Sequence, residues 1–455
     1  MTASSRVRLL VAGTPLGAAL QAAALDADLS GAGGERLLLV AGDAAVPETT
    51  PAPDALPGFA PLRRRFDRVL SWNDVIRPLH PGSWVPRADD APLWERQLRS
   101  LWGLGNAEVE LVVEGVDTAP AQALARIFPD APLDVCVTGA AAYGPTPGKL
   151  DPLLGTRVRR LLHLGPLPGL RPLLLTEFEA EERVVPADAL RAVLAEAARE
   201  LPRPAVPEGC ALLVGQDPDA PGALPPAREE RLQERMLRAL RELGLRTAVL
   251  APHPAASERR VRALLERADG LGVELSVAEG TPPPEVLCEL LRPALVTGFP
   301  PETLLVAGTV LGLPVARCGT DVLLDHLTPY EHADRVPTVI ADALLPDLED
   351  PAAVRGRARS VLDGVTEEAW EELAGLVRAL AFCMWPRVHP GLRDEAERFL
   401  AAHPAERVRR HFPRRRLASL ALPGALPTGL APVVRNPTVR RTARRALALG
   451  RRKHH

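Results

Sequence analysis

Short apolar runs recur along the chain, each leading into a turn and then a stretch of mixed polarity about as long as a helix. The pattern is plainest from Ala248 to Thr320. Thr247–Ala251, Val273–Val277 and Ala294–Thr297 are strand candidates there, and Ser257–Ala268, Pro284–Leu291 and Pro301–Leu311 are helix candidates. Strand, turn and helix in repetition predict a parallel sheet with helices on its faces. The first part of the chain repeats the pattern. Strands are predicted at 6–13, 36–41, 66–72, 109–114 and 133–137, and near 159–164 and 172–176. Helices are predicted at 18–29, 92–102, 119–128 and 187–200, with a proline- and acid-rich loop over 46–61. After Pro202–Pro207 a second sheet opens at Leu212–Gly215, followed by a helix over Arg228–Leu243, and 350–400 reads as helical. The expected fold class is α/β, with two facing Rossmann-like domains of the glycosyltransferase B type. The expected segments are 1–201, 208–345, a helical closing segment over 346–405 and a tail over 406–455. Other two-lobed proteins share such a pattern, so it does not by itself name a function.

Composition narrows the field. Apolar residues make up 46% of the chain, which fits a globular protein, and 455 residues call for more than one core. Only Lys149 and Lys453 are lysines, so nearly all positive charge is arginine. The five cysteines are far apart and form no CxxC pair, which suggests neither zinc nor a disulfide framework. No apolar run reaches the ~18 residues of a membrane-spanning helix. The start of the chain shows no signal-peptide cleavage pattern. A reducing cytoplasm is the expected location. Charge is uneven, with 14 Arg and Lys and no acid from Arg407 to His455. A basic tail on an acidic body implies a polyanionic partner: an anionic membrane, a polysaccharide or nucleic acid. Nucleic acid is disfavoured because only Phe412 among the tail residues is aromatic.

In parallel sheets ligands sit beyond the carboxyl ends of the strands, so the turns there are the candidate chemistry. His253 follows a strand and is held between Pro252 and Pro254, which restrict where the imidazole points. It is either a phosphate contact and proton carrier or a surface histidine in a rigid turn. Gly298-Phe299-Pro300-Pro301-Glu302-Thr303 is either a phosphate-holding helix start or a plain one. Gly319-Thr320 follows another buried strand, where glycine permits close approach to a ligand. Glu114 and Thr138 end two strands of the first domain. Glu114 is the better base candidate, against a solvated strand-end acid. Trp72, Trp84, Trp94 and Trp102 are read mainly as packing.

Together these residues resemble the bacterial α-2,8-polysialyltransferase family, in its actinobacterial-type members. The phrases that carry the likeness are AAVPETTPA, PGFAPLRRRFDRVLSWN, the run from LHPGSW to LWGLG, YGPT with KLDPLLGTRV and RLLHL, and GLRPLLLTEF. His253-Pro254, LPVAR, LTPYE and RVP extend it over most of residues 5–345. The resemblance implies transfer of sialic acid, or a related nonulosonic acid, from a CMP-sugar donor to a cell-surface glycan. It implies inversion, no cofactor and no nucleotide-bound metal. It makes 1–201 the acceptor side and 208–345 the nucleotide-sugar domain. It also implies an acid before Gly139 as base, a His-Pro pair on the cytidine phosphate and a hydroxyl pair at the next turn. Catalytic candidates are thus Glu114, Thr138 and His253. Nucleotide-binding candidates are His253, Pro254, Gly298, Thr303, Gly319 and Thr320.

The chain departs from that pattern at two places. Thr138 stands where the acid is expected, and Pro300, Pro301 and Glu302 replace the hydroxyl pair, leaving Thr303 as the nearest hydroxyl. The rival reading is a catalytically degenerate nucleotide- or glycan-binding paralogue in a glycan assembly complex. Residues 407–455 would hold either protein at the inner face of the plasma membrane.

Overall fold

The computed structural model describes residues 6–425 except 30, 32, 149, 204–205, 357–360 and 404–408. Two parallel sheets form within one unit, Met1–Leu373, and a second unit covers Ala374–His455. The first sheet contains β1 (Arg6–Ala12), β2 (Glu35–Val40), β3 (Arg68–Ser71), β4 (Glu108–Glu114), β5 (Leu133–Val137), β6 (Val158–His163) and β7 (Glu181–Val184). Its order is β3-β2-β1-β4-β5-β6-β7, with every pairing parallel. The second contains β8 (Ala211–Val214), β9 (Thr247–Ala251), β10 (Glu274–Val277) and β11 (Leu295–Gly298), in the order β10-β9-β8-β11, also parallel. The chain is therefore α/β with two facing Rossmann-like domains.

Helices cover both faces, so the central strands are apolar on both sides. Leu9, Leu10, Leu37, Leu38, Leu39 and Leu111 are fully buried, and each such side chain contributes about 1.5–3 kcal/mol. The buried charges of the first sheet lie nearer its amino ends. Arg8 meets Glu110 at 3.1 Å, and Arg160 meets Asp134. Ion pairing there offsets these charges away from the carboxyl ends, with Arg8 Nε left buried and without a partner. Proline begins the helices Pro15–Asp26, Pro226–Glu242, Pro284–Leu291 and Pro301–Thr309, where its missing N–H is not needed.

The tryptophan region packs as read. Trp72 and Trp102 are buried, and Trp84 stacks edge-on against Trp94 with ring centroids 4.8 Å apart. All five cysteines are free and buried. One strand was misplaced in the sequence reading. Residues 172–176 do not form a strand, and β7 lies instead at Glu181–Val184. The N–H groups of Leu173 and Leu174 both donate to Ala142 O, and Leu175 turns left-handed at φ 62°. Leu174 and Leu175 thus plug the core from a turn. The helical stretch over 350–400 is divided into helices Pro351–Gly356, Glu367–Met384 and Arg393–Ala402.

The second unit corrects one expectation for the tail. Arg414–Arg416, expected to face a membrane, open the helix Arg414–Leu420. Arg416 donates through Nε to Cys383 O at 2.6 Å and through a terminal nitrogen to Met384 O at 2.7 Å. It therefore caps the carboxyl end of Glu367–Met384. Phe412 and Leu417 are fully buried beside it. Most of the predicted tail, residues 426–455, lies outside the described residues.

The two sheets' domains meet through helices and turns. Helix Ala187–Arg199 packs on Pro284–Leu291, and the 3-10 turn Gly139–Tyr143 packs on Pro301–Thr309 and Arg335–Leu344. The second of these contacts lies at the carboxyl end of β5.

Candidate active-site cleft

Strand order reverses between β1 and β4 in the first sheet and between β8 and β11 in the second. The carboxyl ends at such reversals open a crevice. A cleft of about 500 Å³ lies there, lined from the first domain by Thr14, Pro15, Leu16, Leu56 and Thr138. The second domain contributes Gly215–Asp217, Pro252–Pro254, Thr281–Glu285, Phe299–Thr303, Asp334 and Thr338, among others.

His253 and Pro254 are in this wall, as expected. Ala255 N–H donates to His253 Nδ1 at 3.3 Å, and Asp217 Oδ1 lies 3.6 Å from the same nitrogen. Burial lowers the histidine pKa, and the carboxylates of Asp217, Asp219 and Asp43 pull it back up without prevailing. The ring is therefore neutral near pH 7. Its Nδ1 lone pair faces Ala255, which leaves Nε2–H as the donor for a ligand.

Gly298 lies behind the wall. A Cβ there would stand 2.3 Å from the Val214 carbonyl oxygen, so only glycine lets β11 run this close to β8 before the turn. The helix that follows starts at Pro300-Pro301, which have no N–H, and Leu304 N–H donates to Pro300 O, so Glu302 and Thr303 supply the first-turn N–H groups without a partner in the helix. Thr303 lines the cleft, but its hydroxyl donates to buried Glu285 at 2.8 Å. Burial pushes the Glu285 carboxyl above its usual range.

Besides Gly298, three further predicted residues lie outside the cleft lining. Glu114 is not among the residues lining the cleft. Its carboxylate accepts from Gly13 N–H at 2.7 Å, Thr14 N–H at 3.0 Å and the Thr14 hydroxyl. It sits against Gly17, where a Cβ would meet its carboxyl carbon at 2.0 Å. Glu114 thus fills the anion position at the amino end of helix Pro15–Asp26 with the protein's own charge, so it is not free to accept a proton from an acceptor. Gly319 packs on Leu232, and the Thr320 hydroxyl is held by Arg317 and Asp342. Both lie outside the cleft lining and brace the chain behind it. Arg317 joins that brace to Asp347 at 2.9 Å.

Several acids to which the sequence assigns no role as acid or base gather here. Asp43 follows β2 and is held above its usual pKa, first by burial and then by the nearby Asp217 charge. Asp334 is likewise raised by burial and lines the cleft. Glu302 is raised to about 8, chiefly by burial and further by Asp334 and Glu285. No arginine or lysine lines the cleft among the described residues. Burial therefore holds these carboxyls toward their neutral forms, so the pocket is less negative than its composition suggests. Asp43 and Asp217 each follow a sheet strand closely, a signal that could have found them. Helices and loops bring in Glu302 and Asp334, and sequence order did not show where they would meet. No cluster of three or more His, Cys, Asp or Glu side chains able to hold a metal occurs among the described residues.

No family model matches the chain, and no curated protein matches it in sequence. Solved structures do match in fold. One is a Staphylococcus aureus MnaA–UDP co-structure, with 14% identity, TM-score 0.42, and 82% of this chain and 96% of that one covered. Another is Acinetobacter baumannii MurG, with 13% identity, TM-score 0.38, and coverages of 87% and 99%. A third is the Neisseria meningitidis UDP-GlcNAc 2-epimerase bound to UDP-GlcNAc, with 12% identity, TM-score 0.44, and coverages of 81% and 99%. The assignment to the glycosyltransferase B-type architecture stands on this chain's own strand orders and cleft.

Proposed function

We propose that the chain is a glycosyltransferase that moves sialic acid, or a related nonulosonic acid, from a CMP-sugar to a cell-surface glycan. Transfer inverts the donor anomeric centre and uses no nucleotide-bound metal. The observation that carries the proposal is the position of His253, a neutral imidazole that lines the same cleft as the first turn of the Pro301–Thr309 helix. An anionic phosphate placed there gains a hydrogen bond from Nε2–H and the positive end of the helix dipole. Its charge also raises the histidine pKa, which prepares the ring to pass a proton to the leaving oxygen. Pro254 fixes the turn, and Gly298 lets β11 approach β8. Thr14, Pro15 and Thr138 form the facing wall, on the acceptor side.

A nucleotide panel tests the proposal. CMP at about a hundredfold excess over its Kd is expected to raise folding stability by about 2.7 kcal/mol, with UDP and GDP well behind. A shift with UDP or GDP but none with CMP would remove the CMP assignment. The second reading, a degenerate paralogue, is favoured by Thr138, because a threonine hydroxyl cannot serve as a base near neutral pH. It predicts CMP binding with no turnover.

The surface partner is proposed from charge alone. No helix among the described residues is long and apolar enough to cross a membrane. Because Phe412, Leu417 and Leu422 are buried and Arg416 is held by backbone carbonyls, the truncation that tests the tail removes 426–455, which contains eight Arg and Lys and no acid. Each cation near an anionic leaflet contributes on the order of 1 kcal/mol. The truncated chain is expected to stay folded and to lose sedimentation with vesicles containing phosphatidylserine at low salt. Undiminished sedimentation would rule out the tail as the anchor.

A further inference from the structure

Thr138 leaves the expected base position without a carboxylate, yet a carboxylate occupies that space. Glu302 reaches it from the other domain, out of the first turn of helix Pro301–Thr309. Its Oε2 accepts from Ala140 N–H at 2.8 Å. A Cβ on Gly139 would stand 1.7 Å from the same oxygen, so the acid lies directly over this glycine. Gly139 is left-handed at φ 60°, and it provides both the turn and the space. The other oxygen, Oε1, is buried and has no hydrogen-bond partner. Glu302 and Thr138 both line the cleft. A buried carboxyl oxygen left unpaired costs stability and calls for an explanation. Interdomain packing accounts for Oε2 but not for Oε1.

We propose that Glu302 is the catalytic base of this transferase, a carboxylate supplied across the domain interface in place of the acid missing before Gly139. The proposal rests on the transferase reading above and deepens it. The acceptor hydroxyl oxygen forms the new bond to the donor anomeric carbon. The bond from that carbon to the phosphate oxygen breaks, its electron pair leaves with CMP, and the acceptor proton passes to Glu302 Oε1. The two departures from the resembled pattern become one exchange. The carboxylate lost at 138 reappears at 302, within the turn that lost its hydroxyl pair.

The groups facing Glu302 are Asp334, Glu285 and Tyr143 together with the backbone N–H groups of Ala140 and Ala141. The two acids and burial disfavour its charge, and the two N–H groups favour it. A base near pKa 8 is partly ionised at neutral pH and gains activity as pH rises. Wild-type turnover of CMP-sialic acid onto an oligosialic acid is therefore expected to climb between about pH 7 and 9.

The deciding set is wild type, Glu302→Gln and the double variant Glu302→Gln with Thr138→Glu. Glu302→Gln keeps size and shape. It is expected to lower kcat by about 10²–10⁴, to change CMP affinity less than about threefold and to lose the alkaline climb. The double variant, which returns a carboxylate to position 138, is expected to regain at least about tenfold. Glu302→Gln within about threefold of wild type across the pH range would overturn the role and leave the transferase reading intact. Wild type that binds CMP without turnover would also overturn the role while the nucleotide site stands. Wild type that binds no CMP would remove both.

Discussion

His253→Ala is expected to weaken CMP binding about ten- to hundredfold without unfolding the protein. A hydrogen bond to a charged group contributes about 1.5–3 kcal/mol, and 1.36 kcal/mol corresponds to one factor of ten. The upper part of that range is favoured because no arginine or lysine lines the cleft among the described residues. On the proposed function, phosphate recognition falls to the imidazole and to the N–H groups of Glu302 and Thr303. The side chain is about one-third exposed, so its removal leaves no buried void. Titration calorimetry of wild type and variant decides the matter. Equal affinity would show that the phosphate is held elsewhere, and the functional reading built on His253 would fall with it.

The second large effect is on stability against pH. Glu302 has a folded-state pKa near 8, against about 4.5 for the unfolded chain. Between those values the folded protein holds a proton that the unfolded chain has released, so rising pH favours unfolding. The contribution is fully present below about pH 4.5 and is lost as pH rises through about 8. Glu302→Gln cannot titrate. Wild type is expected to lose stability relative to this variant between about pH 5 and 8, by on the order of a few kcal/mol. Asp43, Glu114, Glu229, Glu285 and Asp334 are raised in the same direction, so the difference between the two proteins isolates Glu302. Urea denaturation at several pH values measures it. Parallel curves would mean that Glu302 is solvated and ionised, which would contradict the burial that makes it a base.

Local pattern was enough for most of the architecture. The apolar runs at β1, β4, β5, β9 and β11 and the proline-started helices lie close to where periodicity and turn chemistry put them, because each is stabilised largely by its own sequence. His253 was legible for the same reason, since a strand end and two flanking prolines are local features. The exceptions show where local reasoning stops. Leu174 and Leu175 read as a strand because they are apolar, but a core also takes apolar side chains from a turn. Arg416 read as a free surface cation because charge is visible in a sequence and a carbonyl partner on another helix is not.

The composition of the site was decided by the tertiary structure. Glu114 and Glu302 are both acids near the ends of strands, and nothing local separates them. Chain packing does. Gly17 makes room for Glu114 at its own domain's helix, where three donors occupy it. Gly139 makes room for Glu302 from the opposite domain. The Glu302 carboxylate accepts from Ala140 N–H, 162 residues away in sequence, and one of its oxygens is left without a partner. Sequence by itself determined the two sheets, the cleft between them and the histidine on its wall, because strand and turn propensities act over a few residues. Which carboxylate faces that cleft followed only from folding, because burial and hydrogen-bond supply depend on groups that the chain brings together from far apart.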